Sequence, residues 1–185
     1  MRLLNVFNFL SLNGFYKGPN GDIGWHQHGE EESDFSREGA GSGSTLLFGR
    51  VTYEMMAGFW PSEQAQKMDA VVAAGMNATE KIVFSRTLKK AEWNNTRIVS
   101  GDIVAEIHKM KQGAGPGMTI LGSGSIITQF AAAGLIDQYQ FMIDPIAIGA
   151  GTPVLSGIPA PLKLKLTGTR TFKSGVVLLT YAPGK

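Results

Sequence analysis

The sequence predicts an α/β fold: a mixed, mainly parallel central sheet flanked by helices, with a C-terminal antiparallel hairpin. Three observations predict it. Short apolar runs such as Leu46 to Phe48, Lys81 to Phe84 and Met118 to Leu121 alternate with segments of helical spacing, the pattern of parallel strands joined by crossover helices. The run at Met118 enters Gly122, Ser123, Gly124 and Ser125 and then a helical stretch, so strand, glycine turn and helix follow one another. Near the end, Leu162 to Phe172 and Val176 to Tyr181 face each other across Lys173, Ser174 and Gly175, which reads as a hairpin.

Taken in order, Leu3 to Ser11 reads as a largely buried first strand, continuous in Leu, Val and Phe around its asparagines. A long loop follows, in which Lys17, Gly18, Pro19, Asn20, Gly21 and Asp22 carry turn chemistry and Trp25 lies just beyond. Glu30 to Glu38 is a polar helical segment with Phe35 as its large apolar residue, ended by Gly39 to Gly43. The strand Leu46 to Phe48 runs into Gly49 and Arg50, a helix starts over Thr52 to Ala57, and Trp60 and Pro61 close that unit. Glu63 to Ala74 has helical spacing through Met68, Val71 and Val72. Lys81 to Phe84 and Arg97 to Val99 are strands, and Ile103 to Met110 is a helix. After the strand at Met118, a helix is predicted over Ile126 to Ala133, stopped by Gly134. Tyr139 to Ile148 is a long strand, with Asp144 beside Pro145 read as a hydrogen-bonded turn residue. No repeat or linker divides the chain, so one domain over 1–185 is expected.

Composition narrows the function. A formal net charge of +2 with scattered Lys and Arg gives no nucleic-acid footprint. The absence of cysteine excludes disulfides, thiolate metal sites and a cysteine nucleophile, and agrees with a cytoplasmic protein. The start, Met1 to Phe15, is interrupted by Asn5, Asn8 and Asn13 and reads as a strand, not a signal peptide. No apolar run approaches the ~20 residues that span a bilayer. His26 and His28 with Glu30 resemble the beginning of a metal site, but His108 is the one remaining histidine and stands far along the chain, so no metal is expected. Ser123 lacks the Gly-x-Ser-x-Gly frame of a hydrolase nucleophile.

Three strand ends share a character that points to an anion. The first gives Gly49, Arg50 and Thr52, the second Ser85, Arg86 and Thr87, the third Gly122, Ser123, Gly124 and Ser125. Parallel strands would bring these ends to one edge. Guanidinium groups grip phosphate with paired charged hydrogen bonds, and helix N-termini hold pyrophosphate, so the set fits a dinucleotide that carries an extra phosphate.

These residues, with Ser11, Leu12, Asn13, Gly14, Gly18, Pro19, Gly21, Asp22 and Trp25, then Tyr53, Glu54, Trp60 and Pro61, then Val83, Leu88 and Trp93, and finally Gly134 to Asp137, Pro145, Gly149 and Gly151, occur in an order that resembles the dihydrofolate reductase-like family. The likeness is to the reductase domain of the bifunctional riboflavin-biosynthesis deaminase/reductase, in its stand-alone bacterial form, over almost the whole chain. The resemblance implies NADPH as cofactor and hydride transfer to a small heterocyclic or ribityl-type substrate. It implies that Gly122, Ser123 and Gly124 bind the pyrophosphate, that Arg50 and Thr52 bind phosphates, that Ser85 and Arg86 hold the 2′-phosphate, and that the loop from Asn13 to Trp25 covers the nicotinamide. It further implies a homodimer, for which the apolar C-terminal strands are the candidate surface. Asn13 stands where related sequences carry Asp, and an amide cannot act as a general base. Of the acidic group Glu30, Glu31, Glu32 and Asp34 no one is singled out: Asp34 precedes Phe35 and could share its inward-facing neighbourhood, while a solvated helix face accounts for most of the cluster. Trp25 and Phe35 are expected as apolar walls, and Asp22, Asp34 or a bound water as the proton source. The alternative to a reductase is a non-catalytic nucleotide-binding or regulatory protein on the same fold.

Overall fold

The long apolar run at the start of the chain becomes the strand around which the others assemble. In the computed structural model, which describes residues 1–27 and 29–184, it forms β1 (Leu4–Ser11). Then come β2 (Phe15–Lys17), α1 (Glu30–Ala40), β3 (Thr45–Gly49), α2 (Arg50–Phe59), α3 (Glu63–Met68), α4 (Ala70–Ala78) and β4 (Lys81–Phe84). They are followed by β5 (Thr96–Val99), α5 (Ile103–Gln112), β6 (Met118–Leu121), α6 (Gly124–Ala132), β7 (Gln138–Asp144), β8 (Thr152–Pro153), β9 (Leu164–Thr171) and β10 (Val177–Pro183).

The main sheet has the order β5-β4-β3-β6-β1-β7-β10-β9. The strands from β5 to β7 are parallel; β10 is antiparallel to β7, and β9 to β10. This is the mainly parallel sheet with a C-terminal hairpin that the sequence predicts. The carboxyl ends of six parallel strands therefore share one edge, and the turns that follow β1, β3, β4, β6 and β7 meet there. A separate two-stranded ribbon pairs β2 with β8 and ties the loop after β1 to the loop after β7.

Alternation along β1 sends its side chains into two cores. Leu4, Val6 and Leu10 join Ile107 of α5 and Ile126, Ile127 and Phe130 of α6. Phe7 and Phe9 face the other way, toward Phe35 of α1, Met142, Phe172, Val176 and Leu178. On that second face a further cluster of Phe48, Tyr53, Val72, Met76, Val83 and Trp93 holds α2 and α4 against β3 and β4.

Several boundaries differ from the expectation by a residue or two, and three differences bear on the ends of elements near the site or the helix caps. The segment predicted as one helix over Glu63 to Ala74 is two, because Asp69 turns to φ −158° and its carboxylate accepts the amides of Val71 and Val72, capping α4. The helix predicted from Ile126 begins earlier, at Gly124. The strand predicted to reach Ile148 stops at Asp144, where its carboxylate binds a distant segment.

The far end of α4 is closed by a buried cation. Lys81 Nζ is fully buried with its residue and donates to the carbonyls of Met76, at 2.8 Å, Asn77, at 3.2 Å, and Thr79, over the Trp93 ring. Burial pushes its pKa down to about 8, while the three carbonyls and the negative end of the helix hold the proton. Among the described residues no helix is long and apolar enough to cross a membrane.

Candidate functional site

A helix exposes unpaired N–H groups at its start, and most helices here cover that end. Ser62, Asp69 and Asp102 accept amides at the starts of α3, α4 and α5, and α1 has Glu30, Glu31 and Glu32 in its first turn. Among the described residues, α2 and α6 are the helices with neither a side-chain cap nor an acidic residue in the first turn. Both begin at the carboxyl edge, after neighbouring strands β3 and β6.

Their starts are tied together. The Gly49 N–H donates to Ser123 Oγ at 2.9 Å, and the Ser123 N–H donates to Thr52 Oγ1 at 3.1 Å. Ser123 Oγ also donates to the Leu121 carbonyl. The residue is buried in the left-handed region, φ 58° and ψ 48°, directly after Gly122, which is also left-handed at φ 58°. Ser123 thus works as the tie between two turns, and the free amides beyond it belong to Gly124 and Ser125 in α6 and to the first residues of α2. The glycines are needed for space as well as conformation. A Cβ on Gly122 would lie 2.9 Å from Thr52 Cγ2, and one on Gly124 would lie 2.8 Å from Tyr16 Cε1 and 2.9 Å from its hydroxyl.

Beside these turns opens a cleft of about 700 Å³ lined by Ser85, Arg86, Ser100, Asp102, Ser125 and Gln129 among others. Ser85 Oγ accepts the amides of Thr87 and Leu88, which fixes the turn after β4. Arg86 is exposed and has no hydrogen bond or ion pair to another described residue. Thr87 lies in the same turn, exposed. Arg50, at the first position of α2, instead holds Glu54 one turn on, with its Nη1 2.8 Å from Oε2. The structure therefore brings together Gly49, Arg50, Thr52, Ser85, Arg86, Thr87, Gly122, Ser123, Gly124 and Ser125 on one edge.

The end of β1 and β7 is built differently. Asn13 is exposed, and its amide group faces the backbone of Ile148 with both ends: Nδ2 donates to the carbonyl at 2.8 Å and Oδ1 accepts the N–H at 3.2 Å. A carboxylate would keep the second bond and oppose the first, which explains an amide at this position. Asp144, fully buried, accepts the Gln27 N–H at 2.8 Å on one oxygen and meets His26 Nδ1 at 2.6 Å with the other. His26 stacks on Phe9 with ring centroids 3.6 Å apart. The Asp144 carbonyl accepts the Ile146 N–H at 2.8 Å across Pro145, the turn expected there, while its side chain reaches partners more than a hundred residues away. His28, the second histidine of the metal pattern, lies outside the described residues.

On α1 the acidic residues separate by register. Phe35 packs on Phe7 and Phe172, and the residue one turn back on the same side is Glu32, which is 1% exposed and binds Ser174 Oγ. Glu31 takes the Lys173 N–H and ammonium, which hold its carboxyl below the usual range. Asp34 does not share the neighbourhood of Phe35. Its side chain is 58% exposed and pairs with Arg37, as the roughly 100° between successive helix positions requires. Asp22 is exposed in a turn closed by the Gly18 N–H on its carbonyl. Trp25 is half-buried, with its Nε1 out of solvent and no hydrogen bond to a described residue. The sequence reading named Glu32, His26 and Asp144 but not the partners they find here; for Glu32 the signal was present, three residues before the one inward aromatic.

The donor set fits a phosphate-rich nucleotide. It has two positive helix ends with no acid in their first turns, glycines that leave backbone open, and, among the described residues, a guanidinium with no hydrogen-bond or ion-pair partner beside a cleft.

Comparison with known proteins gives the family and the fold. Residues 2–178 match the family model of the RibD C-terminal domain. The uncharacterised Bacillus subtilis protein YyaP is 29% identical over 174 residues, 93% of this chain and 90% of that protein. Among solved structures, a Shewanella protein assigned to riboflavin biosynthesis superposes with a TM-score of 0.72 at 19% identity, covering 99% of both chains. The Thermotoga maritima diaminohydroxyphosphoribosylaminopyrimidine deaminase/5-amino-6-(5-phosphoribosylamino)uracil reductase superposes with a TM-score of 0.69 at 15% identity, over 99% of this chain and 57% of that one. The fold is dihydrofolate reductase-like. With a family model that spans nearly its whole length, the chain belongs to the RibD C-terminal domain family.

Proposed function

We propose that the protein is an NADPH-dependent reductase that acts on a small heterocyclic substrate of the pyrimidine or pterin kind, or on a ribityl-type one. The observation that carries this reading is the pair of helix starts, α2 and α6, left without cap or acid and hydrogen-bonded to each other at the sheet edge. The family and the reductase named in the Thermotoga structure support it.

In this reading the amides of Gly124 and Ser125 and the start of α2 hold the pyrophosphate, with Arg50 and the Thr52 hydroxyl beside them. Arg86, in the turn that Ser85 fixes, takes the 2′-phosphate, for which a planar guanidinium is suited. Bound there, the reduced nicotinamide supplies a hydride. The loop from Asn13 to Trp25 excludes water, held down by Asn13 on Ile148 and by Asp144 on His26 and Gln27. The proton comes from Asp22 or from water at this loop, since Asp34 is engaged by Arg37 and Asp144 by its two partners.

Titration with NADPH and NADH, followed by nicotinamide fluorescence, tests the reading. NADPH should bind in the micromolar range, about −8 kcal/mol. Arg86→Ala should weaken NADPH by at least about tenfold and leave NADH within about twofold. Equal losses for both would remove Arg86 from the 2′-phosphate, and no binding of either nucleotide would overturn the cofactor itself. A second reading, a nucleotide-binding protein without catalysis, is favoured by Asn13, whose amide is used as a backbone clamp. Substrate-dependent consumption of NADPH would exclude it.

A further inference from the structure

We propose that Tyr16 and Lys17, carried on the β2–β8 ribbon, form a third wall of the anion cradle between α2 and α6, so that the ribbon itself grips the phosphates of a bound dinucleotide. This rests on the cofactor reading above and adds to it a wall from a different part of the chain.

The ribbon places Tyr16 against the first residue of α6. A Cβ at Gly124 would stand 2.9 Å from the Tyr16 hydroxyl, so that hydroxyl lies beside the uncapped helix start. The Tyr16 hydroxyl makes no hydrogen bond to another described residue, and the residue is only partly exposed. A phenol in this state suits an acceptor that arrives with a ligand. Lys17 adds charge. Its Nζ lies 5.5 Å from the Tyr16 ring centroid and has no carboxylate partner among the described residues. An ammonium carried beside the tyrosine that packs on the positive start of α6 favours an anion there, and that helix carries no acid in its first turn. The backbone at this point is also fixed: Gly151 lies so close to the Lys17 carbonyl that no side chain fits there, and Val154 N–H donates to the Gly14 carbonyl. These contacts set where Tyr16 and Lys17 stand relative to α6.

The experiment compares wild type, Tyr16→Phe and Lys17→Met for the Kd of NADPH by nicotinamide fluorescence, for displacement of NADPH by inorganic pyrophosphate, and for thermal stability without ligand. Phe retains the ring that packs on Gly124 and removes only the hydroxyl. Tyr16→Phe should weaken both NADPH and pyrophosphate about threefold to tenfold, the loss of one hydrogen bond to a charged group. Lys17→Met should weaken both by a similar factor and make the Kd less dependent on salt. Both variants should melt within about two degrees of wild type, since among the described residues neither side chain tip has a hydrogen-bond or carboxylate partner to lose. If wild type binds NADPH and both variants bind it within twofold, the ribbon wall is rejected and the cofactor site stands. If wild type binds neither nucleotide nor pyrophosphate, the cofactor reading fails and this inference fails with it.

Discussion

Helices α4 and α6 pack on opposite faces of one sheet and treat their ends in opposite ways. α4 starts under the Asp69 carboxylate, which the amides of Val72 and Val71 and the Arg37 guanidinium hold below its ordinary pKa, and it ends on the Lys81 ammonium. α6 ends just as firmly, with Gly134 in the left-handed region and the Leu135 N–H returned to the Phe130 carbonyl. Only its start is open. A chain that closes so many helix ends with its own side chains leaves two open at the same edge, and on the reading proposed above that difference marks the nucleotide side of the site.

The β1–β7 end supplies the harshest test of the contrast, because the Asp144 carboxylate and the Asn13 amide are satisfied from within. Asp144→Ala should destabilise the protein by about 3–5 kcal/mol in urea titration, since it strands the buried His26 and the Gln27 amide. A loss below about 1 kcal/mol would mean this end is open to solvent and available to ligands.

Lys81 gives the next effect, through pH. Its folded pKa, about 8, lies below the ordinary 10.5, so the unfolded chain binds more protons between those values and stability rises with pH across that window. Measured against Lys81→Met, the wild-type protein should gain on the order of 1–3 kcal/mol from pH 8 to 10.5. A flat difference would show that the three carbonyls fully offset the burial.

Asp69→Ala should cost about 1–2 kcal/mol by removing the cap of α4, with the Kd for NADPH unchanged. An effect on nucleotide binding would blur the distinction between closed and open ends. The smallest change is the most discriminating. Ser125→Asp puts a carboxylate into the first turn of α6 and should stabilise the fold by about 0.3–1 kcal/mol while weakening NADPH by about tenfold or more. A variant that gains stability and keeps its affinity would show that the start of α6 holds no phosphate.

Much of this was legible in the sequence, for physical reasons that differ by element. The parallel strands were visible because each is a short continuous apolar run, and Met118 to Leu121 came out with its observed boundaries. The glycine turn after it was visible because only glycine tolerates both the left-handed backbone at Gly122 and the approach of Tyr16 at Gly124. The break at Asp69 was written as an N-cap before an apolar run and was overlooked because the helical period continues through it. The β2–β8 ribbon was hidden, since three residues among glycines and prolines carry no period. The pairing of Asp144 with His26 was beyond local reading, because the fold alone brings residues 118 apart into contact.

The tie through Ser123 has one more consequence. By bonding Gly49 and Thr52 to one residue, it fixes the distance between two positive poles, so the edge acts as a two-point receptor of set span. A ligand with a single phosphate engages one pole at a time. On the proposed reading, a ligand with two linked phosphates that match the span would meet the second pole at the high effective concentration of an intramolecular contact, and the rigidity of a serine turn would become selectivity for diphosphates.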